Sequence, residues 1–424
     1  MKTYLVTERT NLFEPNVSVQ FLIKIGGAPE VEKVIRAVQA AFAANEATCS
    51  KIVLEQGTAF YEKMEESGCR VAVVKKDWRK VLSEQEKLSF DLAHGELMRV
   101  FVIPSGQEVF LLIAAHHLAG DGKSMVYFLE DVMHALSGKR LANKPLYGIT
   151  GDFFTKESRL LPGVRLYADA WNRKWKRSGR FFTWEDYERV HQSYWKELDS
   201  QIVMEAFSQE ELEGIRRFAR KAGVSVNSCI VTAFLEACGS RITCGIPVNV
   251  RKDFNRSMSN QVSGIAVKTA YSNRKSWAEN ARNVHRQIQK KLNSPRSKYF
   301  VLQWMAALEP SLVDSVLLNT HGLYQNLVSE KFAKVMGYQG GKMRELGITN
   351  LTKLDIPTEY GQYTIESLLF IPPVVSYARR IIGVSTLENQ MTVVYHFMSC
   401  PKEAEERKFF RRGIRNLKGL CKTI

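Results

Sequence analysis

The chain has 424 residues and a formal net charge of +16; 45% of its residues are hydrophobic and 25% are charged, as in an ordinary soluble protein of two domains. No stretch approaches the roughly 20 apolar residues of a membrane span, and the first residues lack the apolar core of a signal peptide. Seven cysteines, odd in number and without metal-binding spacing, are typical of reduced thiols, which predicts a cytoplasmic location.

The first elements alternate between strand and helix patterns. Residues 17–25 form an apolar run typical of a buried strand, and the residues after Pro29 place apolar side chains on one face of a helix. Two further apolar runs, residues 99–103 and the run that starts at Glu108, are separated by a Pro-Ser-Gly turn. These patterns predict a hairpin in an α+β or mixed α/β domain.

The second strand of this hairpin leads into the most informative residues of the chain. The apolar residues 109–115 are too few for an ordinary helix and predict a strand buried on both faces, which ends at His116 and His117. Two glycines flank Asp121 and predict a tight turn, because glycine adopts backbone angles that other residues resist. A helical pattern follows the turn, so the sequence predicts a strand, a tight turn and a helix.

A histidine at the end of a buried strand is well placed to transfer protons, because its charge changes near neutral pH. For a single histidine, a structural role in the core is the commoner explanation. A metal site is a third alternative, because His and carboxylate are ordinary zinc ligands. His116 and His117 point to opposite sides of an extended chain, however, and no further ligands follow at metal spacing, so we expect no metal.

The second half of the chain follows an aromatic and basic segment. Residues 171–180 combine tryptophan with Lys and Arg, which suits an amphipathic connector, a membrane interface or a surface that stacks on bases. Ser208 and Glu211 predict a capping box at the start of a helix, and a second helix is expected from Val224. The later predicted elements are strands at residues 242–250, 365–371, 381–385 and 391–397 and a basic amphipathic helix at residues 408–418.

Residues 116–122, His-His-Leu-Ala-Gly-Asp-Gly, resemble the HHxxxDG motif of the chloramphenicol-acetyltransferase-like acyltransferases. This superfamily contains nonribosomal-peptide condensation domains, plant BAHD acyltransferases, alcohol O-acetyltransferases and wax ester synthases. Residues 245–251 resemble its strand ending in Pro-Val-x-x-Arg, residues 259–262 its Gly-Asn-x-Val segment with Ser in place of Gly, and residues 348–351 its Ser-Asn-Leu segment. The Asp-Phe-Gly-Trp-Gly segment of the BAHD branch is absent from the sequence.

The resemblance implies an α/β (α+β) fold of two chloramphenicol-acetyltransferase-like subdomains, each a mixed sheet with flanking helices, and a substrate tunnel at their interface. We predict an N-terminal subdomain at residues 1–140, a crossover segment at residues 141–199 and a C-terminal subdomain at residues 200–424.

The resemblance also implies roles for single residues. His117 is expected to act as the general base of a catalytic motif that His116, Asp121 and Gly122 complete, with His116 turned away and packed. Asp121 is expected to form a structural, bidentate salt bridge with Arg251, which fixes the loop that presents His117.

The resemblance further implies an acyltransferase that moves an acyl group from a coenzyme A or carrier-protein thioester to a hydroxyl or amine, without an acyl-enzyme. Ser124, Asn260 and Asn350 are predicted to contact substrate. No cofactor is expected to stay bound, and the co-substrate is acyl-CoA or a phosphopantetheine thioester.

Two other functions stay open on the sequence. One is a stand-alone condensation domain that forms amide bonds, and the other is a non-catalytic member of the fold that binds an acyl carrier. The predicted partners are acyl-CoA or an acyl carrier protein and a small alcohol or amine; the positive charge is also compatible with a peripheral membrane contact or with a solvated surface that has no partner. Nucleic acid is not favoured, because no recognised binding motif accompanies the charge.

Overall fold

The computed structural model describes residues 2–178, 180–252, 255–338, 346–376, 378, 380–399 and 402–422. The strands are β1 Thr3–Tyr4, β2 Ser18–Gly26, β3 Ser50–Glu55, β4 Thr58–Lys63, β5 Arg70–Val73, β6 Met98–Ser105, β7 Glu108–His116, β8 Ser200–Phe207, β9 Ile242–Asn249, β10 Val262–Thr269, β11 Leu346–Lys353, β12 Glu359–Tyr360, β13 Tyr363–Ile371, β14 Ile381–Leu387 and β15 Gln390–Met398. The helices are α1 Val31–Ala44, α2 Trp78–Glu86, α3 Gly122–Leu136, α4 Pro162–Lys176, α5 Trp184–Trp195, α6 Gln209–Ala222, α7 Val226–Cys238, α8 Trp277–Leu292, α9 Pro295–Lys298, α10 Phe300–Ala307, α11 Pro310–Thr320, α12 Leu327–Met336 and α13 Glu403–Gly419.

Two six-stranded sheets carry the fold. The first has the order β12-β13-β2-β7-β6-β5; β5 runs parallel to β6, and the other neighbouring strands of this sheet are antiparallel. The second has the order β10-β9-β11-β14-β15-β8, and β11 runs parallel to both β9 and β14. Both sheets are therefore mixed, as the sequence predicted. A third, three-stranded sheet has the order β1-β4-β3.

The strand that leads to His117 lies in the interior of the first sheet. β7 pairs with β6 on one side and with β2 on the other, and nearly all of its residues are buried. Because both faces of β7 are covered and both of its edges are paired, its side chains are buried in apolar surroundings. This explains the continuous apolar run in its sequence. The predicted hairpin between β6 and β7 is confirmed by their antiparallel register.

The two sheets do not follow the boundaries predicted from the sequence. Strands β12 and β13 lie far beyond residue 200, yet β13 pairs with β2 in the first sheet. Within the predicted crossover segment, residues 141–199, Trp175 of α4 and Tyr187 of α5 are buried in the same hydrophobic core as β2 and β7. A boundary at residue 200 therefore does not separate the sheets. A strand pattern shows which face is buried but not which sheet the strand joins.

A buried ion pair connects the N-terminal segment to the second half of the chain. Arg9 Nε lies 2.7 Å from Asp314 Oδ1 and Arg9 Nη2 lies 2.5 Å from Asp314 Oδ2. The two side chains are 1% and 0% exposed. Two parallel hydrogen bonds of this kind give direction as well as energy, so the pair fixes the segment before β2 against α11.

No single helix among the described residues is both long and apolar enough to cross a membrane. The pair α10 and α11 passes that test when joined, but the two helices meet at an angle of 101°.

Replacing Asp314 with alanine is expected to lower the free energy of unfolding by roughly 3 to 5 kcal/mol, because the variant leaves the Arg9 charge buried without its partner. Chemical denaturation measures this change. The exposed pair Lys334–Glu330 on α12 provides the matched control, and Lys334→Ala should cost about 1 kcal/mol or less. Equal effects of the two substitutions would contradict a stabilising role for the buried pair.

Candidate active site

The loop between β7 and α3 is held by the side chain of Asp121. Asp121 is the N-cap of α3: its Oδ1 accepts a hydrogen bond from the backbone N–H of Ser124 at 2.9 Å, and Ser124 Oγ accepts one from the N–H of Asp121 at 3.2 Å. This capping box satisfies donors at the start of the helix that would otherwise lack partners. Gly120 has a φ of +151°, which favours glycine, so the turn depends on that residue.

Arg251, which follows β9 of the second sheet, reaches across to this loop. Its Nη1 donates to Asp121 Oδ2 at 2.7 Å, and its Nη2 donates to Ser124 Oγ at 2.6 Å and to the carbonyl of Ser259 at 2.8 Å. The side chains of Arg251 and Asp121 are 3% and 1% exposed. The predicted partners therefore lie in contact, but Arg251 binds Oδ2 of the carboxylate and does not form the predicted bidentate pair, because Oδ1 caps α3.

The backbone after Arg251 also binds Asp121. The N–H of Gln261 donates to Asp121 Oδ2 at 2.9 Å. Burial by itself would raise the pKa of Asp121, but the charge of Arg251 and the hydrogen bonds to the carboxylate hold that pKa below its ordinary value of 3.8. Asp121 is thus an anion that ties the His117 loop to the second half.

His117 follows β7 directly and lines the cavity between the two halves. Burial lowers its pKa below the ordinary value of 6.5, while the charge of Asp121 and a hydrogen bond from the ring to its own backbone carbonyl raise it. The side-chain amide of Asn260 lies 3.1 Å from His117 Nδ1. The backbone hydrogen bond needs a ring N–H donor, so in the neutral ring the other nitrogen carries no proton and can accept one. Such a ring is neutral at pH 7 and can accept a proton.

His116 occupies the opposite side of the strand and is buried in the core. Its Nδ1 accepts the backbone N–H of Leu118 at 3.2 Å, and its ring packs edge-on against Phe90 at 5.6 Å. Burial lowers the pKa of His116 to about 3. A neutral, enclosed ring of this kind packs and does not meet a substrate, which agrees with the alternation expected from the sequence.

The cavity has a volume of about 740 Å³ and receives residues from both halves of the chain. The polar part of its lining includes His117, Asn260 and Glu8. The apolar part of the lining includes Ile265 of β10, Ile288 of α8, Phe300 and Trp304 of α10, and Val335 of α12. A mostly apolar cavity with a few polar groups is the usual form of a small-molecule site.

The residues predicted to bind substrate lie in different surroundings. Asn260 and Asn350 line the cavity, and Asn350 also donates to Asn227 Oδ1 at 3.2 Å. The prediction that Ser124 contacts substrate is wrong, because Ser124 is 0% exposed and does not line the cavity. Its hydroxyl is used within the protein, where it donates to the Ser259 carbonyl at 2.8 Å and accepts from Arg251. Ser124 therefore supports the loop that carries Asp121.

Gly122 allows the close approach of the two halves. It is the first residue of α3, and a Cβ at this position would lie 2.6 Å from Leu351 Cδ2. Leu351 belongs to β11, whose pairing with β14 shifts register between residues 350 and 353. A bulge of this kind often re-aims side chains beside a functional site.

Some groups of the site escaped sequence reasoning. Gln261 binds Asp121 through its backbone N–H, so the identity of its side chain gives no indication of this contact. Glu8 lines the cavity from a segment whose sequence has no motif and no periodicity. Among the described residues, no group of three or more His, Cys, Asp or Glu side chains could hold a metal ion.

The comparisons with known structures agree in fold. The first condensation domain of the CDA synthetase is 13% identical, with a TM-score of 0.63 over 99% of this chain and 96% of that chain. The epimerization domain from the third module of tyrocidine synthetase B is 13% identical, with a TM-score of 0.61 over 100% and 98%. TRI3 trichothecene 15-O-acetyltransferase from Fusarium sporotrichioides is 13% identical, with a TM-score of 0.66 over 99% and 95%.

Sequence comparison covers much less of the chain. No protein-family profile matches it. A hybrid PKS-NRPS synthetase, xenE of Xenoacremonium sinensis, is 40% identical over 60 residues, which is 14% of this chain and 2% of that protein.

The chain therefore has the chloramphenicol-acetyltransferase-like fold that condensation domains, epimerization domains and this acetyltransferase share. The fold class predicted from the sequence is confirmed.

Replacing either partner of the Asp121–Arg251 pair is expected to destabilise the protein. Asp121→Ala or Arg251→Ala should lower the free energy of unfolding by roughly 3 to 5 kcal/mol, because each leaves the other charge buried and the loop unsupported. Thermal unfolding measures the loss, and Arg407→Ala in the more exposed pair with Glu403 is the control. Wild-type melting temperatures in both variants would argue against the structural role.

Proposed function

We propose that the protein is an acyltransferase that moves an acyl group from a thioester to a hydroxyl or amine acceptor, with His117 as the general base. The observation that carries this proposal is the placement of His117. Its ring enters a cavity lined by both halves, and Asp121 and Arg251 hold the loop behind it. The shared fold with an acetyltransferase and with condensation domains supports a transfer reaction.

The lining of the cavity suits two substrates of different polarity. The apolar side chains of α8, α10 and α12 provide a surface for an acyl chain or another carbon skeleton. The polar groups around His117 provide hydrogen bonds for the reacting atoms. We infer that Asn260 and Asn350 contact substrate, because both line the same cavity as His117.

The proposed reaction needs one base and no acyl-enzyme. Neutral His117 accepts the proton of the acceptor hydroxyl or amine through its unprotonated ring nitrogen while the acceptor oxygen or nitrogen attacks the thioester carbonyl carbon. The tetrahedral intermediate then breaks its C–S bond, and the departing thiolate takes the proton from His117. General-base assistance contributes about 10² to 10⁴ in rate, and holding both substrates in line contributes much of the rest.

The donor is proposed to be acyl-CoA or a phosphopantetheine thioester on a carrier protein. Both donors bring phosphate charge, and a net charge of +16 on the protein attracts anions during encounter. No cofactor needs to remain bound, because the thioester supplies the activated acyl group.

Formation of an amide bond is the second candidate function. Condensation domains are among the proteins that share the fold over nearly the whole chain, and the 60-residue match lies in a hybrid PKS-NRPS synthetase. In that case the donor is a carrier-protein thioester and the acceptor is an amine. Supplying the same acyl group on coenzyme A and on a carrier protein, with alcohols and amines in turn, separates the two candidates.

His117→Ala is expected to lower turnover by about 10² to 10⁴, because the variant removes the base and leaves the rest of the cavity intact. The measurement is thiol release from a panel of acyl-CoA and acyl-carrier-protein donors with alcohol and amine acceptors. His94→Ala is the matched control, since that side chain is 83% exposed and outside the cavity. Equal thiol release by His117→Ala and the wild type would remove the proposed base.

The pH dependence of the reaction is expected to follow His117. The ring must be neutral to accept a proton, so kcat/KM should fall as the pH falls through its pKa. Because burial places this pKa below 6.5, the rate should be level at neutral pH and decline only at lower pH. A decline centred above pH 6.5 would contradict the environment described for His117, and His94→Ala should leave the profile unchanged.

A further inference from the structure

A second ionisable side chain lines the cavity without a role in the reaction proposed above. Glu8 lies immediately before a short 3-10 helix, Arg9–Asn11, and faces the same cavity as His117. Its Oε2 is buried and has no hydrogen-bond partner among the described residues. A buried polar atom without a partner is costly, so an unpaired carboxyl oxygen beside a cavity points to a ligand that completes it.

The hydrogen bonds of Tyr61 show which form of Glu8 the site favours. The Tyr61 hydroxyl lies 2.7 Å from the backbone carbonyl of Leu118 and 3.2 Å from Glu8 Oε1. A hydroxyl has one proton, and a carbonyl oxygen can only accept. The shorter contact therefore takes the Tyr61 proton. The contact with Glu8 becomes a hydrogen bond when the carboxyl group donates its own proton to the Tyr61 oxygen.

The charges around Glu8 favour the same protonated form. Burial raises the pKa of Glu8 to about 8, and the negative charge of Asp121 also raises it; only a hydrogen bond donated by Tyr61 would lower this pKa. Arg9 follows in the chain, but its guanidinium binds Asp314. Arg251 is likewise bound to Asp121. The ionisable groups that shift the pKa of Glu8 are thus Tyr61 and Asp121, and neither provides a positive charge.

We propose that Glu8 is a substrate-binding residue that acts as an uncharged acid, with Oε1–H donating to Tyr61 and Oε2 accepting a hydrogen bond from an N–H or O–H group of the substrate. This inference rests on the acyl transfer proposed above, and it adds a requirement for a hydrogen-bond donor on one of the two substrates. Acceptor amines and alcohols carry such groups, and so do the amides of a pantetheine arm.

The same arrangement connects Glu8 to the loop that carries His117. Leu118 follows His117 in the chain, and its carbonyl is held by the Tyr61 proton. If Glu8 loses its proton, the anion competes for the Tyr61 proton, and the Leu118 carbonyl loses its donor. We therefore expect turnover to decline above about pH 8, in addition to the decline at low pH that His117 causes.

Steady-state kinetics of three variants test the proposal, with the KM of the thioester donor and the KM of the acceptor measured separately. Glu8→Leu removes the accepting oxygen and should raise one of the two KM values about threefold to tenfold, the size of one neutral hydrogen bond. The KM that rises identifies the substrate that Glu8 binds. Glu8→Gln keeps a neutral carbonyl and is expected to rescue that KM and to abolish the decline above pH 8.

Glu14→Gln is the matched control. The pKa of Glu14 is also raised by burial, to about 7, but its carboxyl accepts hydrogen bonds from Ser376 and does not line the cavity. This variant should keep both KM values and the alkaline decline. Two unchanged KM values in Glu8→Leu, or a loss in Glu8→Gln as large as in Glu8→Leu, would overturn the proposal.

Infrared spectroscopy separates this inference from the proposed function. A C=O stretching band of a protonated carboxylic acid should disappear through about pH 8, and this component should be missing from Glu8→Gln but retained in Glu14→Gln, which loses only the component that titrates near pH 7. If no donor and acceptor pair turns over, the proposed acyl transfer fails while this band still supports a neutral Glu8. A wild-type protein without the band overturns the inference whatever its activity.

Discussion

The buried contact between Asp121 and Arg251 is the constraint on which the site depends. A carboxylate that is 1% exposed is stable only when cations and hydrogen-bond donors replace its water. Here the donors come from the start of α3, from Arg251 after β9 and from the backbone before β10. Because these elements belong to different halves of the chain, satisfying one carboxylate also fixes the loop of His117 against the opposite wall of the cavity.

Two carboxyl groups near that loop are held in opposite states. Asp121 meets Arg251 and stays ionised, whereas Glu8 meets a tyrosine hydroxyl and the negative charge of Asp121. Separating the pKa values of neighbouring acids in this way lets one fold offer a fixed anion and a neutral hydrogen-bonding acid side by side. His117 lies in the same environment and is kept neutral mainly by burial.

The fold by itself does not select a reaction. At 13% identity, this architecture is shared by a condensation domain, an epimerization domain and a trichothecene acetyltransferase. Function on a common fold depends on the groups that line the site. In this chain those lining groups are the apolar side chains of α8, α10 and α12 and the polar side chains of Glu8, His117 and Asn260.

The sequence by itself determined the local elements. The apolar run of β7, the hairpin with β6 and the capping box at Ser208 and Glu211 depend on residues close together in the chain, and the structure has all of them. The resemblance of residues 116–122 and 245–251 to a known superfamily predicted the fold and brought Asp121 and Arg251 together as a pair.

Only the tertiary structure decided the remaining features. It placed β13 in the first sheet, buried the Ser124 hydroxyl behind the loop and brought Glu8 beside Tyr61. The physical reason is that each of these contacts joins residues far apart in sequence. Periodicity and capping rules describe forces between near neighbours, whereas the partner of a strand edge or a buried carboxyl is set by the packing of the whole chain.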